Sequence, residues 1–459
     1  MLEKNLTERV LLKASESGAD FAEIFAEKLR YSSLTAGAGK IDGLSSGLRL
    51  GAGIRVFKDN FCGYAYTNDL SEAGLMKAAA AASVAIDGEK LINSVNLVRQ
   101  DIENRHKIQI SPMSVPSKEK AALLKKFSDY GYAAAREVSR VDVTQSSKIQ
   151  EIFIANSDGL LAEDRRVRTR LGFKVEDGGR RFENFWTKGM LQGLEMIDET
   201  DLYEVAEETV RQAVEMLAAD NCPAGKMPVV LAREIGGVLF HEACGHSLEA
   251  TAVARNASVF CDRLGEQIAS PLVTMVDDGT LPNQWGATNI DDEGIPTRRN
   301  VLIEKGILKG YLVDRFNGRR MRMEPTGSAR RESYEYVPTS RMNNTFILGG
   351  ENRPEDIVAA TEHGIFAAQI RGGSVNTETG DFNFSVSRAY LIENGRITRP
   401  LRGAKLIGNG SEILRNIDMV GNNPGMRGGG QCGSKSGWVP VCHGTPTLRV
   451  AEIAVGGQK

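Results

Sequence analysis

Apolar positions at Leu6, Val10, Leu11 and Ala14 share one face at helical spacing, so residues 1–17 are expected to form a helix. From Asp20 to about Asn68 the pattern changes to short β-prone runs, Phe21 to Phe25, Ser46 to Val56 and Phe61 to Thr67. Glycines and Lys58-Asp59-Asn60 separate them, which predicts strands and hairpins. Ser71-Glu72 then opens an alanine-rich stretch, Ala73 to Ala85, of high helix propensity. A proline-containing connector spans Ile108 to Pro116. An amphipathic helix is expected from Ser117, its cap, to about Val138. Strands are predicted over Val141–Asn156, Leu160–Val175 and Arg181–Gln192, and a helix over Leu202–Ala218.

Asn221-Cys222-Pro223-Ala224-Gly225 breaks both periodicities, and the main domain boundary is expected there. The reading is an N-terminal mixed α/β region over 1–222, with a possible sub-boundary near 108–116, and a β-rich domain over 223–459. The second part opens with a short apolar strand, Met227 to Leu231. A helix candidate follows, from about Arg233 to beyond Glu249. After it, strand patterns alternate with Gly, Asp and Asn turns. Glu393-Asn394-Gly395 has the composition of a type I′ hairpin, and Glu304-Lys305-Gly306 is a second turn candidate. The fold class is therefore α+β, the C-terminal part mainly antiparallel and carrying one embedded helix.

Composition narrows the class. The chain has 459 residues, which exceeds what one core usually organises. A charged fraction of 25% with a net charge of −2 leaves no basic excess for a nucleic-acid footprint. A local run, Arg319, Arg320, Arg322, Arg330 and Arg331, reads as a solvated face. No stretch of about 18 apolar residues suggests a membrane span. The N-terminus is polar and lacks the apolar core of a secretory signal, so a cytoplasmic location is expected. Six scattered cysteines form no disulfide framework, so the thiols are expected to be free or metal-bound.

The chemistry concentrates in Phe240-His241-Glu242-Ala243-Cys244-Gly245-His246. Neutral imidazoles are good zinc ligands, and a glutamate beside the first is a natural general base for a metal-bound water. The chain has only five histidines, and two fall here. Their spacing needs explaining. Four positions turn a helix by roughly 400°, bringing both rings to one face, whereas five turn it by roughly 500°. Either the helix ends or kinks at Gly245, or one π-type turn aligns the rings. Gly245 is expected to be conformationally special in both cases.

Two histidines are too few for a catalytic zinc, which usually takes three protein ligands. Cys244, Cys261, Cys432, Cys442, His363, His443 and the carboxylates of Asp291-Asp292-Glu293 are candidates for the third. Cys432 stands out because its glycine-rich segment, Arg427-Gly-Gly-Gly-Gln-Cys-Gly, can bend closely around an ion; Cys442-His443 comes next. Cys244 is expected to face away from His246 on a regular helix. Asp277-Asp278-Gly279 and Asp291-Asp292-Glu293-Gly294 read as turns and caps rather than cation sites. Arg331 and Tyr334 could steady a peptide carboxylate or an oxyanion, with a surface salt bridge as the plainer role.

With Val276-Asp-Asp-Gly-Thr280, Pro325-Thr-Gly, Arg331-Glu-Ser-Tyr334, Arg341-Met-Asn-Asn-Thr345, Tyr390-Leu-Ile-Glu-Asn-Gly395 and Gln431-Cys432-Gly433, this stretch resembles the TldD branch of the TldD/PmbA peptidases. The likeness runs through 225–459 and is weaker but consistent before it. The resemblance implies a metallopeptidase with one Zn²⁺, or another divalent metal, on His241, His246 and Cys432, and Glu242 as base. It implies short, unfolded or modified peptides as substrates. It also implies a dimer, with a second copy or with a related metal-free PmbA/TldE-type subunit. The alternative is a non-catalytic peptide- or protein-binding subunit with a structural metal. A thiol redox enzyme is disfavoured because no Cys-x-x-Cys pair exists.

Overall fold

The computed structural model describes residues 1–177, 179 and 182–457. Strand accounts for 42% and helix for 22%, an α+β fold. The first half is built on one long antiparallel sheet. Its central strand Phe21–Gly37 pairs with Lys40–Lys58 on one side and Arg140–Asn156 on the other, and Leu160–Glu176 extends it. The strand expected to stop at Phe25 runs on for twelve further residues. Glu27, Lys28 and Arg30 interrupt the apolar run in sequence, but the pleat sends alternate side chains to opposite faces. Arg181, the expected start of the next strand, lies outside the described residues; the strand observed is Glu183–Met190.

One face of this sheet carries helices. Lys4–Ala14 and Glu72–Ser83 pack Val10, Leu11, Leu75 and Ala79 against Ala22, Ile24 and Ile54. Ser117–Ala134 and Leu202–Glu215 cover the far end through Leu124, Phe127 and Val210. The opposite face meets the second half of the chain, where Phe25, Ile152 and Ile154 pack with Ile290 and Tyr334.

That junction is charged as well as apolar. Arg166, Arg168 and Arg170 alternate along one strand and so project from one face. Arg166 donates to the Ile290 carbonyl, Arg168 to the carbonyls of Trp285 and Ala287, and Arg170 to that of Gly429. Buried ion pairs flank these rungs. Arg55 joins Glu23 and Glu293 at 3.0 and 2.7 Å, and Arg331 joins Glu23 at 2.9 Å. The arginine run expected on a solvated face is thus divided: Arg330 and Arg331 are buried, while Arg319 reaches the partly exposed Asp20.

In the second half five strands close a ring. Gly225–Leu231, Leu448–Gly456, Lys405–Asn409, Asp381–Glu393 and His363–Val375 pair in that order, and the last returns to the first. Their apolar residues share a core with Leu239, Phe240 and Ala243. A six-stranded sheet lies beside the ring and ends in the hairpin Met426–Ser434 and Gly437–Gly444. Asn394 and Gly395 (φ 52° and 71°) and Lys305 and Gly306 (φ 48° and 83°) form the two expected tight turns with positive φ at both central positions. Among the described residues no helix is long and apolar enough to cross a membrane.

Candidate metal centre

The single helix expected from Arg233 past Glu249 is four short pieces. Gly236–Phe240 is α-helical, His241–Gly245 is a π turn, His246–Leu248 is a 3₁₀ turn, and Ala250–Val253 is again α. The π turn is one of the two arrangements that brings positions five apart together, and such bulges recur at functional sites. Gly245 itself has ordinary right-handed torsions, φ −54° and ψ −52°. It matters for space instead: a Cβ there would sit 2.2 Å from Met342 Sδ. Gly237 plays a similar part, since a Cβ would meet the Gly444 backbone nitrogen at 2.4 Å. The segment therefore lies directly on the strand Gly437–Gly444.

That strand's hairpin partner supplies Cys432. The glycine-rich segment expected as a loop is a strand, with Cys432 opposite Val439 and a bulge between Arg427 and Gly430. Glycine is tolerated in it because another backbone crowds in: a Cβ on Gly189 would fall 2.6 Å from Gly429 Cα.

Three ligand atoms converge. Cys432 Sγ lies 3.2 Å from His241 Nε2 and 3.2 Å from His246 Nε2, and the imidazole rings stand nearly perpendicular with centroids 5.0 Å apart. All three ligand atoms fall within 4.8 Å of one another. A tetrahedral zinc with usual bond lengths spaces its nitrogen and sulfur ligands about 3.6 Å apart. The set fits such an ion after opening by a few tenths of an ångström. His241 Nδ1 is buried with no hydrogen-bond partner among the described residues.

The surroundings treat the two imidazoles differently. Burial and the neighbouring His246 push His241 down to about 4, so its ring is neutral, as a ligand must be. Burial also opposes charge on His246, but Glu249 and Cys432 outweigh it and raise this imidazole well above its ordinary range. Burial raises the Cys432 thiol, yet the hydrogen bond from His246 and its charge bring it below the usual value, toward thiolate. Glu249 Oε2 meets His246 Nδ1 at 3.1 Å, and Arg341 donates to the Cys432 carbonyl at 2.6 Å. The roles of Glu249 and Arg341 were missed in the sequence. The available signal was the three-residue step from His246 to Glu249, one helical turn.

Glu242 Oε2 stands 3.7 Å from His246 Nε2 with its side chain 27% exposed. It is the more exposed of the two acids beside His246. The other proposed ligands lie elsewhere. Cys244 turns to the Phe240 carbonyl and Met275, as expected, and burial pushes its thiol up to about 12. Cys442 is buried against Gln284, and burial pushes it up to about 11. Cys261 faces the Val253 carbonyl, and His363 is exposed. His443 comes nearest, its ring 6.5 Å from that of His241. Asp277 sits in a buried strand, accepting from Asn343 and Thr345, rather than capping a turn. Asp291 does close a turn, while Asp292 and Glu293 pair with Arg166 and Arg55.

Arg331 and Tyr334 are not brought to the cluster. The Arg331 guanidinium is fully buried and bound by Glu23 and the Asp292 carbonyl, so the surface salt bridge becomes an interior one. Tyr334 packs against Gly51 and the Tyr66 ring. What does border the site is a hollow of ≈ 220 Å³ lined by Ile235, Val238, Arg427 and His443. It shares Phe185, Ile235 and Arg427 with a larger one of ≈ 480 Å³. Glu242 lies one turn beyond Val238.

Three successive domains of the PmbA/TldA metallopeptidases match this chain: domain 1 over residues 22–86, the central domain over 110–217 and the C-terminal domain over 224–457. The chain belongs to the PmbA/TldD metallopeptidase family. A metalloprotease TldD homolog of Haemophilus influenzae is 38% identical, covering 99% of this chain and 97% of the relative. A zinc metalloprotease TldD homolog of Saccharolobus solfataricus is 26% identical over 98% of this chain and 99% of its own. The crystal structure of TldE from Thermococcus kodakarensis shares the fold with a TM-score of 0.74 at 20% identity, covering 98% of this chain and 99% of that one. Within the PmbA/TldD family this member thus spans at least 97% of the length of each of these three relatives.

Proposed function

We propose that this chain is a zinc-dependent peptidase acting on short, unfolded or modified peptides. The observation that carries the reading is the convergence of His241, His246 and Cys432, from segments nearly two hundred residues apart, with Glu242 beside them. His241, His246 and Cys432 hold the metal. When bound, zinc lowers the pKa of a water and polarises the scissile carbonyl. Glu242 takes a proton from the attacking water and returns it to the leaving amine. Glu249 fixes the tautomer and tilt of His246 through Nδ1, and Arg341 holds the Cys432 carbonyl, and with it the strand that presents Sγ.

The extended peptide would lie in the hollows along Phe185, Ile235 and Arg427, the smaller of which is lined by Val238, four residues before Glu242. Zinc is supported by the two-imidazole, one-thiolate donor set and by the name of the Saccharolobus relative. The subunit would work in the cytoplasm as a dimer, with a second copy or with a metal-free TldE-type partner; the shared fold with TldE supports the latter. We also take residues 1–222, with a sub-boundary near 108–116 between the matched domain 1 and central domain, and residues 223–459 as its two main parts.

Metal content by mass spectrometry, together with peptide cleavage, tests this. Wild type should carry near-stoichiometric zinc and Cys432→Ala should lose it. Glu242→Gln should keep the zinc and lose roughly 10²–10⁴-fold in kcat. Absence of metal after zinc is supplied, or full activity in Glu242→Gln, overturns the reading. Zinc-loaded wild type that binds peptides without cutting them would favour a non-catalytic subunit.

A further inference from the structure

A small cavity of ≈ 60 Å³ lies between the N-terminal sheet and the hairpin that carries Cys432. Two of its lining residues, Arg168 and Arg330, are 7% and 4% exposed. Their hydrogen-bond partners are neutral. Arg168 donates to the Trp285 and Ala287 carbonyls, and Arg330 to that of Met342. Among the described residues neither has a carboxylate within ion-pair distance. The other arginines on the lining differ in this respect: Arg166 has Asp164 and Asp292, and Arg331 has Glu23.

Buried charge is costly without a counter-charge. Burial works against charge at both groups, and Asp292 only partly offsets it. Burial, then Arg166 and Arg330, pull Arg168 down to about 9, and burial pulls Arg330 down to about 10. A guanidinium keeps its proton at such values, so what is missing is an anion rather than a deprotonation. The two carboxylates on the lining are engaged: Asp292 accepts from Arg166 and from the Arg331 amide, and Glu332 from the Trp438 amide. Lys148, an exposed cation on the same lining, adds to the positive field.

The room matches a small guest. One water needs about 10–15 Å³ of such space, so this cavity admits a group of a few heavy atoms. We propose that it is a binding site for one small oxyanion, of carboxylate or phosphate type, held between Arg168 and Arg330 with Lys148 at its mouth. Paired, parallel N–H donors of arginine suit both. Gln431 also lines the cavity, whereas its neighbour Cys432 turns to the histidines, as alternation along a strand requires. Occupancy would therefore steady the strand that presents Sγ from its other face. The proposal stands apart from the peptidase reading and does not need it.

Thermal unfolding of the full chain tests it, with inorganic phosphate or acetate titrated at constant ionic strength against sodium chloride. A saturable rise of a few degrees is expected with at least one of them in wild type. Saturation by phosphate alone assigns a free phosphate; saturation by acetate assigns a carboxylate, such as one carried by a peptide. Lys148→Glu, at an exposed position, should keep the fold and weaken the response at least tenfold in half-saturating concentration. Arg330→Gln should abolish it. If Arg330→Gln does not fold, Lys148→Glu decides alone. A non-saturating rise, or one that is the same in Lys148→Glu, is general salt exclusion and overturns the proposal, as does no rise at all.

Discussion

Glu249 holds the Nδ1 edge of His246 at 3.1 Å while the Nε2 edge of the same ring lies 3.2 Å from Cys432 Sγ. One imidazole is thus gripped by a carboxylate on one side and aimed at the thiol on the other. Partners of this kind orient metal-binding histidines, and their loss typically costs tenfold to a hundredfold in affinity. Glu249→Gln keeps the size and a hydrogen bond but removes the charge. Its apparent zinc affinity, measured by competition with a chromophoric chelator, is expected to fall by roughly that factor. An unchanged affinity would reduce Glu249 to a buried partner of Arg341.

Gly245 gives a test of packing. A methyl group there meets Met342 Sδ at 2.2 Å, with no conflict in backbone torsion. Gly245→Ala is expected to destabilise by about 1–3 kcal/mol in urea unfolding, the usual cost of overpacking. Met342→Ala in the same background should recover part of that loss, because the two sites are in contact. Additive losses in the double variant would rule out the steric account.

Glu27 sets a pH dependence. Burial raises its carboxyl from 4.5 to about 7, against the bond from Gln150 and the charge of Arg49. The folded chain then holds this proton more tightly than the unfolded one. The contribution is full below about pH 4.5 and is lost as pH rises through about 7. Glu27→Gln escapes that loss. Its advantage over wild type should be small at pH 5 and reach up to about 3 kcal/mol at pH 8.5. Parallel stability profiles for the two proteins would refute the assignment.

Arg55 bridges Glu23 of the first sheet and Glu293 of the second half, with its own side chain 1% exposed. In Arg55→Met, Glu293 loses its one ion pair among the described residues, and Glu23 keeps only Arg331. Breaking one member of a buried ionic group commonly costs about 3–5 kcal/mol, and a loss of that size is expected at neutral pH. It should shrink in acid as the stranded carboxyls take up protons. Chemical denaturation at pH 5 and pH 7.5 compares the two; a larger loss at pH 5 contradicts the account.

The local patterns in the sequence were enough for the elements whose periodicity is clean. The helix Leu202–Glu215 and the strands Arg140–Asn156 and Leu160–Glu176 lie within a few residues of expectation. The five-residue step between His241 and His246 already pointed to a π turn as one of two arrangements, and that one is present. Cys432 was found as a residue but not as part of a strand. Three successive glycines read as loop, and only the close approach of Gly189 explains why a strand there carries glycine. The burial of Arg331 was hidden for another reason. Its partner Glu23 is about three hundred residues away, and no local pattern carries such a pairing.

The rungs from Arg166, Arg168 and Arg170 have an asymmetric inheritance. Their acceptors at Ile290, Trp285, Ala287 and Gly429 are backbone oxygens, which every amino acid possesses. No substitution at those four positions deletes an acceptor, while one change at an arginine deletes a donor. At Ile290, Trp285 and Ala287 the C-terminal side of the seam can thus drift in sequence for as long as its chain path is kept, whereas Asp292 and Glu293 beside them answer Arg166 and Arg55 with side chains. The N-terminal side cannot, and a hybrid joining these two halves from distant relatives should depend on which parent supplied the strand Leu160–Glu176.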